Sequence, residues 1–266
     1  MTYREFLLAV LVPLLVAAAG LLVRRYRSAG AAARRRVRRG GVLVAVLAVV
    51  AMVYTMPWDR WLIQHAVWWY PKDSVLGTIG LVPIEEYLFM IGQTLITGCW
   101  VLSVASRGEP VLSVPSGRWR RPVAASGWLL VSALGVLLCL HPHTLYAGAI
   151  LVWFGPLLAV QSGVGADVLR AARPVRLLAL ATTVLLWIAD DIGIRTGAWR
   201  LGAAHTIGLR PWGLPVEEAL FFVATNLLIV DSVLLLDSPV VWRRLRPPAN
   251  TKELPCTRST ARPTMW

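Results

Sequence analysis

Apolar residues run along this chain in stretches of helical length, separated by short polar or arginine-rich segments. The stretches Phe6 to Val23, Val42 to Met56, Trp128 to Leu140, Leu145 to Val160, Leu177 to Ile188 and Leu220 to Leu236 include several near the roughly 20 residues that cross a bilayer as a helix. Flanking neutral residues extend the shorter ones. Water does not reach that depth to satisfy backbone groups, and the alternating strands of about ten residues that build a membrane barrel are missing, so the runs predict helices. The predicted spans are helix one 5–23, two 41–57, three 82–104, four 124–140, five 145–160, six 177–190 and seven 214–236.

Composition agrees, with 57% hydrophobic and only 15% charged residues in 266, against about a quarter charged in soluble domains. The net charge of +13 points toward nucleic acid only until the arginines are placed. Eight lie in 24–39, four in 107–121 and three in 170–176, and five plus Lys252 follow Asp237. The other connections are poor in positive charge. Rich and poor loops alternate, which predicts an N-terminus outside, a C-terminus in the cytoplasm and a multi-pass protein of the cytoplasmic membrane. The first apolar run has its arginines after it, the mark of a retained helix and not of a cleaved signal. Cys99, Cys139 and Cys256 form no pair at disulfide or metal spacing.

The chain also repeats itself. Asp59, Pro83, Glu85, Glu86 and Phe89 recur as Asp191, Pro215, Glu217, Glu218 and Phe221, each displaced by 132 positions, while a Thr-Ile-Gly ending at Gly80 or Gly208 is displaced by 128. Helices two and three carry the first copy, six and seven the second. A three-helix unit duplicated directly would invert its second copy; helix four restores the orientation, so both motifs face one side. The fold class expected is an all-α integral membrane protein of about seven transmembrane helices, two parallel three-helix repeats joined by an extra helix. Residues 1–110 form the first repeat, 111–140 a basic linker with the connecting helix, 141–237 the second repeat, and 238–266 a disordered cytoplasmic tail rich in Pro, Thr and Arg.

Adjacent glutamates at the start of a membrane helix, present twice, are the sharpest chemical feature. An acidic residue inside a membrane helix costs about 2.5–3.5 kcal/mol near the centre and less near the interface, so four of them call for a reason. Proline in a first helical turn and a helix dipole that favours carboxylates make an ordinary helix start the bland explanation. The apolar residues on both sides argue for more. Helical spacing sets Glu85 over Phe89 and Glu217 over Phe221. A carboxyl in apolar surroundings keeps its proton more readily, and an aromatic face beside it stabilises a cation, a pairing suited to acid-initiated carbocation chemistry. Asp59 and the Asp190–Asp191 pair, followed by Trp68 and Trp69 or by Trp199, are either second carboxyls or interfacial caps. Gln93 and Asn226 lie where they can bond between helices, and Asp231 sits deeper in helix seven. His141 and His143 have no metal-binding company. No dinucleotide or phosphate loop is present, and the two lysines, Lys72 and Lys252, lie outside the helices, which removes a retinal Schiff base.

At Trp69-Tyr70, Val75 to Gly80 and Pro83 to Phe89, and again at Trp187 to Asp191 and Leu214 to Phe222, the sequence resembles the lycopene cyclase domain family. These are small membrane proteins that act as heterodimeric bacterial carotenoid cyclases or as fused two-domain forms. The resemblance covers about residues 1–237. It implies a non-redox isomerase, without cofactor, that closes the ends of lycopene or a related linear carotenoid into ionone rings, with the bilayer and other carotenoid-biosynthesis enzymes as partners. Such a reaction protonates a terminal double bond, lets an internal double bond attack the tertiary cation and removes a neighbouring proton. It needs one acid, one base and a dry aromatic pocket. The first candidates are Glu85 and Glu217, then Glu86 and Glu218, with Asp59 and Asp191 as supporting carboxyls and Phe89, Phe221, Trp69 and Trp199 against the substrate. A transporter or binding protein using paired intramembrane glutamates is the alternative.

Overall fold

The computed structural model describes residues 1–109, 111–114 and 119–246. Seven of its helices are long and apolar enough to cross a membrane: α1 (Tyr3–Ser28), α2 (Ala31–Gln64), α3 (Ile84–Ala105), α4 (Arg120–Leu138), α5 (Pro142–Ala171), α6 (Arg173–Thr196) and α7 (Val216–Asp237). All seven occur where the apolar runs predict them, but several outrun their predicted ends. The largest correction is α2, a helix of 34 residues and about 51 Å at 1.5 Å per residue, against a hydrocarbon core of about 30 Å. Charged residues mark where a helix leaves the lipid, not where its backbone hydrogen bonding stops. Asp59, expected at the end of its helix, therefore lies inside it. Pro57, two residues earlier, is also accommodated inside the helix.

Helices α3 and α7 form the centre of the bundle, their apolar windows being the most buried of the seven. Thr97 donates to the Asn226 side-chain oxygen at 2.8 Å, and the Asn226 amide donates to Thr183 on α6 at 2.9 Å. Asn226 thus bonds between helices as expected. Gln93 does not: its amide reaches Met90 of its own helix at 3.4 Å. Helix α4 rests mainly on α5, along a seam of small residues. A Cβ on Gly148 would come within 2.7 Å of the Gly135 carbonyl and the Cys139 amide nitrogen, so only glycine permits this approach.

The two loops that precede α3 and α7 are tied together. Strand β1 (Trp68–Trp69) in the first loop is followed by β2 (Thr78–Ile79) and β3 (Val82–Pro83), and β4 (Arg200–Leu201) lies in the second. Strand β1 pairs antiparallel with β4, with Trp69 opposite Arg200 and Trp68 opposite Leu201. Both Pro-Glu-Glu motifs are consequently held at one end of the bundle. Strands β2 and β3 close a hairpin over Gly80 and Leu81, both at positive φ, the two-residue turn that suits strand twist. The second loop carries four more residues between its Thr-Ile-Gly and its proline and turns differently, with positive φ at Gly208, Trp212 and Gly213.

The two ends of the bundle differ in chemistry. At the motif end the core is aromatic, with Phe6, Trp58, Trp68, Phe89, Tyr146 and Phe221 among its members. At the other end it is aliphatic, around Val101, Val168, Val230 and Val233, and the acids there are paired with arginine: Arg176 with Asp231 at 2.6 Å, Arg244 with Asp167 at 2.6 Å, and Arg36 with Asp237. Part of the segment expected as a tail is ordered. Residues Pro239–Leu245 form α8, because Ser238 caps the helix through the Val240 amide and Val240 and Val241 bury against the aliphatic core. Residues 247–266, Pro110 and 115–118 of the linker lie outside the described residues.

Candidate active site

The two glutamates of each motif have different surroundings. Glu85 and Glu217 turn into the loops: Glu85 Oε1 accepts the Leu76 amide at 2.7 Å, and Glu217 Oε1 accepts the Ile207 amide at 2.6 Å. Each carboxylate anchors the loop that runs into its own helix. Substituting leucine for Glu217 should strand the Ile207 amide and lower stability by about 1–3 kcal/mol, whereas Glu217→Gln retains an acceptor and should cost less. Thermal unfolding of the two variants in detergent checks this, and equal losses would remove the anchoring role.

Glu86 and Glu218, one position along and about 100° around the helix, face a small chamber of about 40 Å³. Asp59 from α2 and Asp190 from α6 line the same chamber. Four carboxyls from four helices therefore meet at the motif end. Asp59 is 0% exposed, and neither of its oxygens has a hydrogen-bond partner among the described residues; one Asp190 oxygen is likewise unpartnered. None of the four pairs with an arginine or lysine among the described residues, in contrast to the three acids at the other end of the bundle.

Tyrosines supply the only hydrogen bonds described for the chamber's glutamates. Tyr3 and Tyr70 both donate to Glu86 Oε2, at 2.7 and 2.8 Å, and Tyr146 donates to Glu218 Oε1 at 3.0 Å. Tyr3 is placed by a capping box, Thr2 and Glu5 exchanging side-chain and backbone bonds around it. Burial, and next the nearby Glu86, push the Tyr70 hydroxyl well above its ordinary value, so it stays a donor. The walls are aromatic. Trp58 stacks on Phe221 with centroids 5.8 Å apart, Phe222 meets Phe89 edge-on at 6.1 Å, and Trp199 meets Tyr3 at 5.1 Å.

Of the residues predicted from sequence, Glu86, Glu218, Asp59, Phe89, Phe221 and Trp199 line the chamber, while Glu85, Glu217, Asp191 and Trp69 do not. Asp191 points outward and pairs with Arg195 one helical turn on, at 2.6 Å; its neighbour Asp190 occupies the place opposite Asp59. The spacing of the chamber residues explains the slip. Asp59 and Asp190 are 131 positions apart, as are Trp68 and Trp199, and all four line the chamber. The offset becomes 132 only after the loops, so one shift applied to the whole motif selects the wrong aspartate. Trp69 is 44% exposed because alternate residues of a strand point to opposite sides, and Trp68 takes the inner position. Tyr3, Tyr70 and Tyr146 were not identified from sequence. The available signal was a tyrosine at the entry of the first helix of each copy, obscured by the extra helix between them.

Comparison with known proteins gives a consistent result. The sequence profile of the lycopene cyclases matches residues 2–102 and 143–236, passing over α4. A lycopene beta-cyclase of Halobacterium salinarum is 39% identical over 193 residues, covering 72% of this chain and 81% of that protein. A bifunctional lycopene cyclase/phytoene synthase of Aspergillus oryzae is 33% identical over 201 residues, 73% of this chain but 34% of the fungal protein. A protein of the same description from Neurospora crassa is 34% identical over 206 residues, with 72% and 34% covered. No solved structure matches.

Proposed function

The chain belongs to the lycopene cyclase family, and on that premise we propose that it closes the linear ends of lycopene into rings by proton-initiated cyclisation within the membrane. The observation that carries this reading is the chamber itself: four carboxyls without a cationic partner among the described residues, walled by aromatic rings. Ring closure adds one proton to the terminal double bond, forms a carbon–carbon bond as the internal double bond attacks the tertiary cation, and removes one proton from a neighbouring carbon. Atoms and electrons are conserved. Rings that line the chamber, such as Phe221 and Phe222, can stabilise the cation through their faces.

The two glutamates are not equivalent, which supports a division of roles. Two hydroxyls converge on one oxygen of Glu86, an arrangement suited to an ionised acceptor, whereas Glu218 receives one. The reason lies in sequence: under the 131-residue offset that relates Asp59 to Asp190 and Trp68 to Trp199, the position that corresponds to Tyr70 is Leu201. Glu218 is assigned as the proton donor and Glu86 as the acceptor, with Asp59 and Asp190 sharing protons with them and Glu85 and Glu217 fixing the loops. The repeat organisation, residues 1–110 and 141–237 joined by α4, is supported by the matching loop anchors and by the unmatched stretch around α4. The arginine-rich loops support a cytoplasmic position for the end opposite the chamber. Other carotenoid-biosynthesis enzymes are the natural partners, since one of them must make the linear substrate and release it into the membrane.

Purified protein in liposomes should convert lycopene to cyclised product with no added flavin or nicotinamide. A strict requirement for reduced flavin would overturn the isomerase reading.

A further inference from the structure

We propose that a slot between α2 and α5, running from the carboxyl chamber toward the middle of the bilayer, holds the straight chain of a linear polyene while one of its ends is in the chamber. This rests on the cyclase reading above. The chamber, at about 40 Å³, is far smaller than the neighbouring slot at about 290 Å³, so the rest of a long substrate must lie elsewhere. Met90 lines both spaces. In addition, Phe154 of the slot meets the chamber's Phe221 edge-on, with centroids 5.8 Å apart.

Three helices carry a chamber carboxyl and then slot residues at successive turns below it. On α2, Thr55, Ala51 and Leu47 follow Asp59 at intervals of four; on α3, Met90 and Thr94 follow Glu86. On α7, Thr225, Ile229 and Ser232 lie on the face of Glu218. Spacings of three and four keep such residues on one stripe. From Asp59 to Leu47 the stripe extends about 18 Å, and from Glu218 to Ser232 about 21 Å, at 1.5 Å per residue. The slot's own lining, from Thr55 to Leu47, spans about 12 Å, and chamber and slot together extend about 20 Å with the carboxyls at their head.

The lining suits a hydrocarbon. Thr94 and Thr225 return their hydroxyls to the Met90 and Phe221 carbonyls, at 2.8 and 3.0 Å, and the Gln161 amide is held by the Leu228 carbonyl and Ser232 at 2.9 Å each. The Gln93 and Gln161 oxygens, unpartnered among the described residues, can meet the weakly acidic C–H edges of a polyene. Tyr54 closes the slot near the chamber by donating to the Trp153 carbonyl at 2.8 Å. Beyond that bridge the lips are lipid-facing, with Val50 54% and Val160 64% exposed, so a chain can enter sideways from the bilayer. One end is then processed at a time, and the molecule must leave and reverse before its second end reaches the acids.

The test is the carotenoid retained by protein purified from lycopene-producing cells. Ala51→Trp fills the slot, and Val50→Trp fills it from an exposed lip where folding is not at risk. Val49→Trp, on the same helix and 56% exposed but outside the slot, is the control. Total bound lycopene plus ring product should fall about tenfold or more, at least 1.4 kcal/mol of binding, in the first two variants and stay at the wild-type level in the third. Equal retention in all four proteins, or no retention in the wild type, overturns the slot. The fraction of bound carotenoid that carries rings tests the cyclase reading separately.

Discussion

Replacing Glu218 by glutamine is expected to stop ring formation, with a loss of about 10²–10⁴-fold from removing a general acid, while membrane insertion and thermal stability are retained. Glutamine keeps the size of the side chain and an acceptor for the Tyr146 hydroxyl, 3.0 Å from Glu218 Oε1, but has no proton to give. Glu86→Gln should be comparably damaging, because the acceptor of the departing proton is lost and the two hydroxyls of Tyr3 and Tyr70 face a neutral amide. Glu85→Gln, by contrast, preserves the acceptor for the Leu76 amide and should leave the pigment largely cyclised. The measurement is the ratio of lycopene to ring product in lycopene-producing cells, normalised to protein in the membrane. Normal product from Glu218→Gln together with loss from Glu85→Gln would reverse the assignment. Tyr70→Phe removes one of the two donors to Glu86 and should slow the reaction without abolishing it, since Tyr3 remains.

The second large effect is structural and arises at the opposite end of the bundle. Asp231 is buried on α7 and held by two bonds from Arg176, at 2.6 and 2.8 Å. Arg176→Leu leaves that carboxylate without its cation in an aliphatic core, and removing one partner of a buried pair costs about 3–5 kcal/mol. Thermal unfolding in detergent should show a large loss for Arg176→Leu and substantial recovery when Asp231→Leu is added, because two apolar side chains pack where one orphaned charge did not. Failure of the double variant to recover any stability would mean that the pair does more than neutralise itself. The chamber carboxyls obey the opposite rule. They have no arginine or lysine partner among the described residues.

Much of this could be read from the chain because it follows from local chemistry. A bilayer admits only helices for apolar runs of this length, so six spans were legible as apolar runs and the seventh from the helix that follows the first acidic motif. The duplicated Pro-x-Glu-Glu identified the helices that carry the acids. Arginine placement predicted an end of the bundle distinct from the motif end, and the ion pairs of Asp167, Asp231 and Asp237 lie there.

What the sequence by itself determined is therefore the number of spans, the duplication and the neighbourhood of the chemistry. Which member of each adjacent acidic pair enters the chamber was decided only in three dimensions. Glu85 and Glu86 differ by about 100° around one helix, as do Asp190 and Asp191, and no feature of composition says which side faces inward. The answer came from packing: loop amides claimed Glu85 and Glu217, Arg195 claimed Asp191, and the facing helices enclosed Glu86, Glu218, Asp59 and Asp190. The tyrosines that distinguish the two glutamates arrive from 83, 16 and 72 residues away. Side chains that distant in sequence are brought together only when the helices assemble, because a hydrogen bond depends on position in space and leaves no periodic trace along the chain.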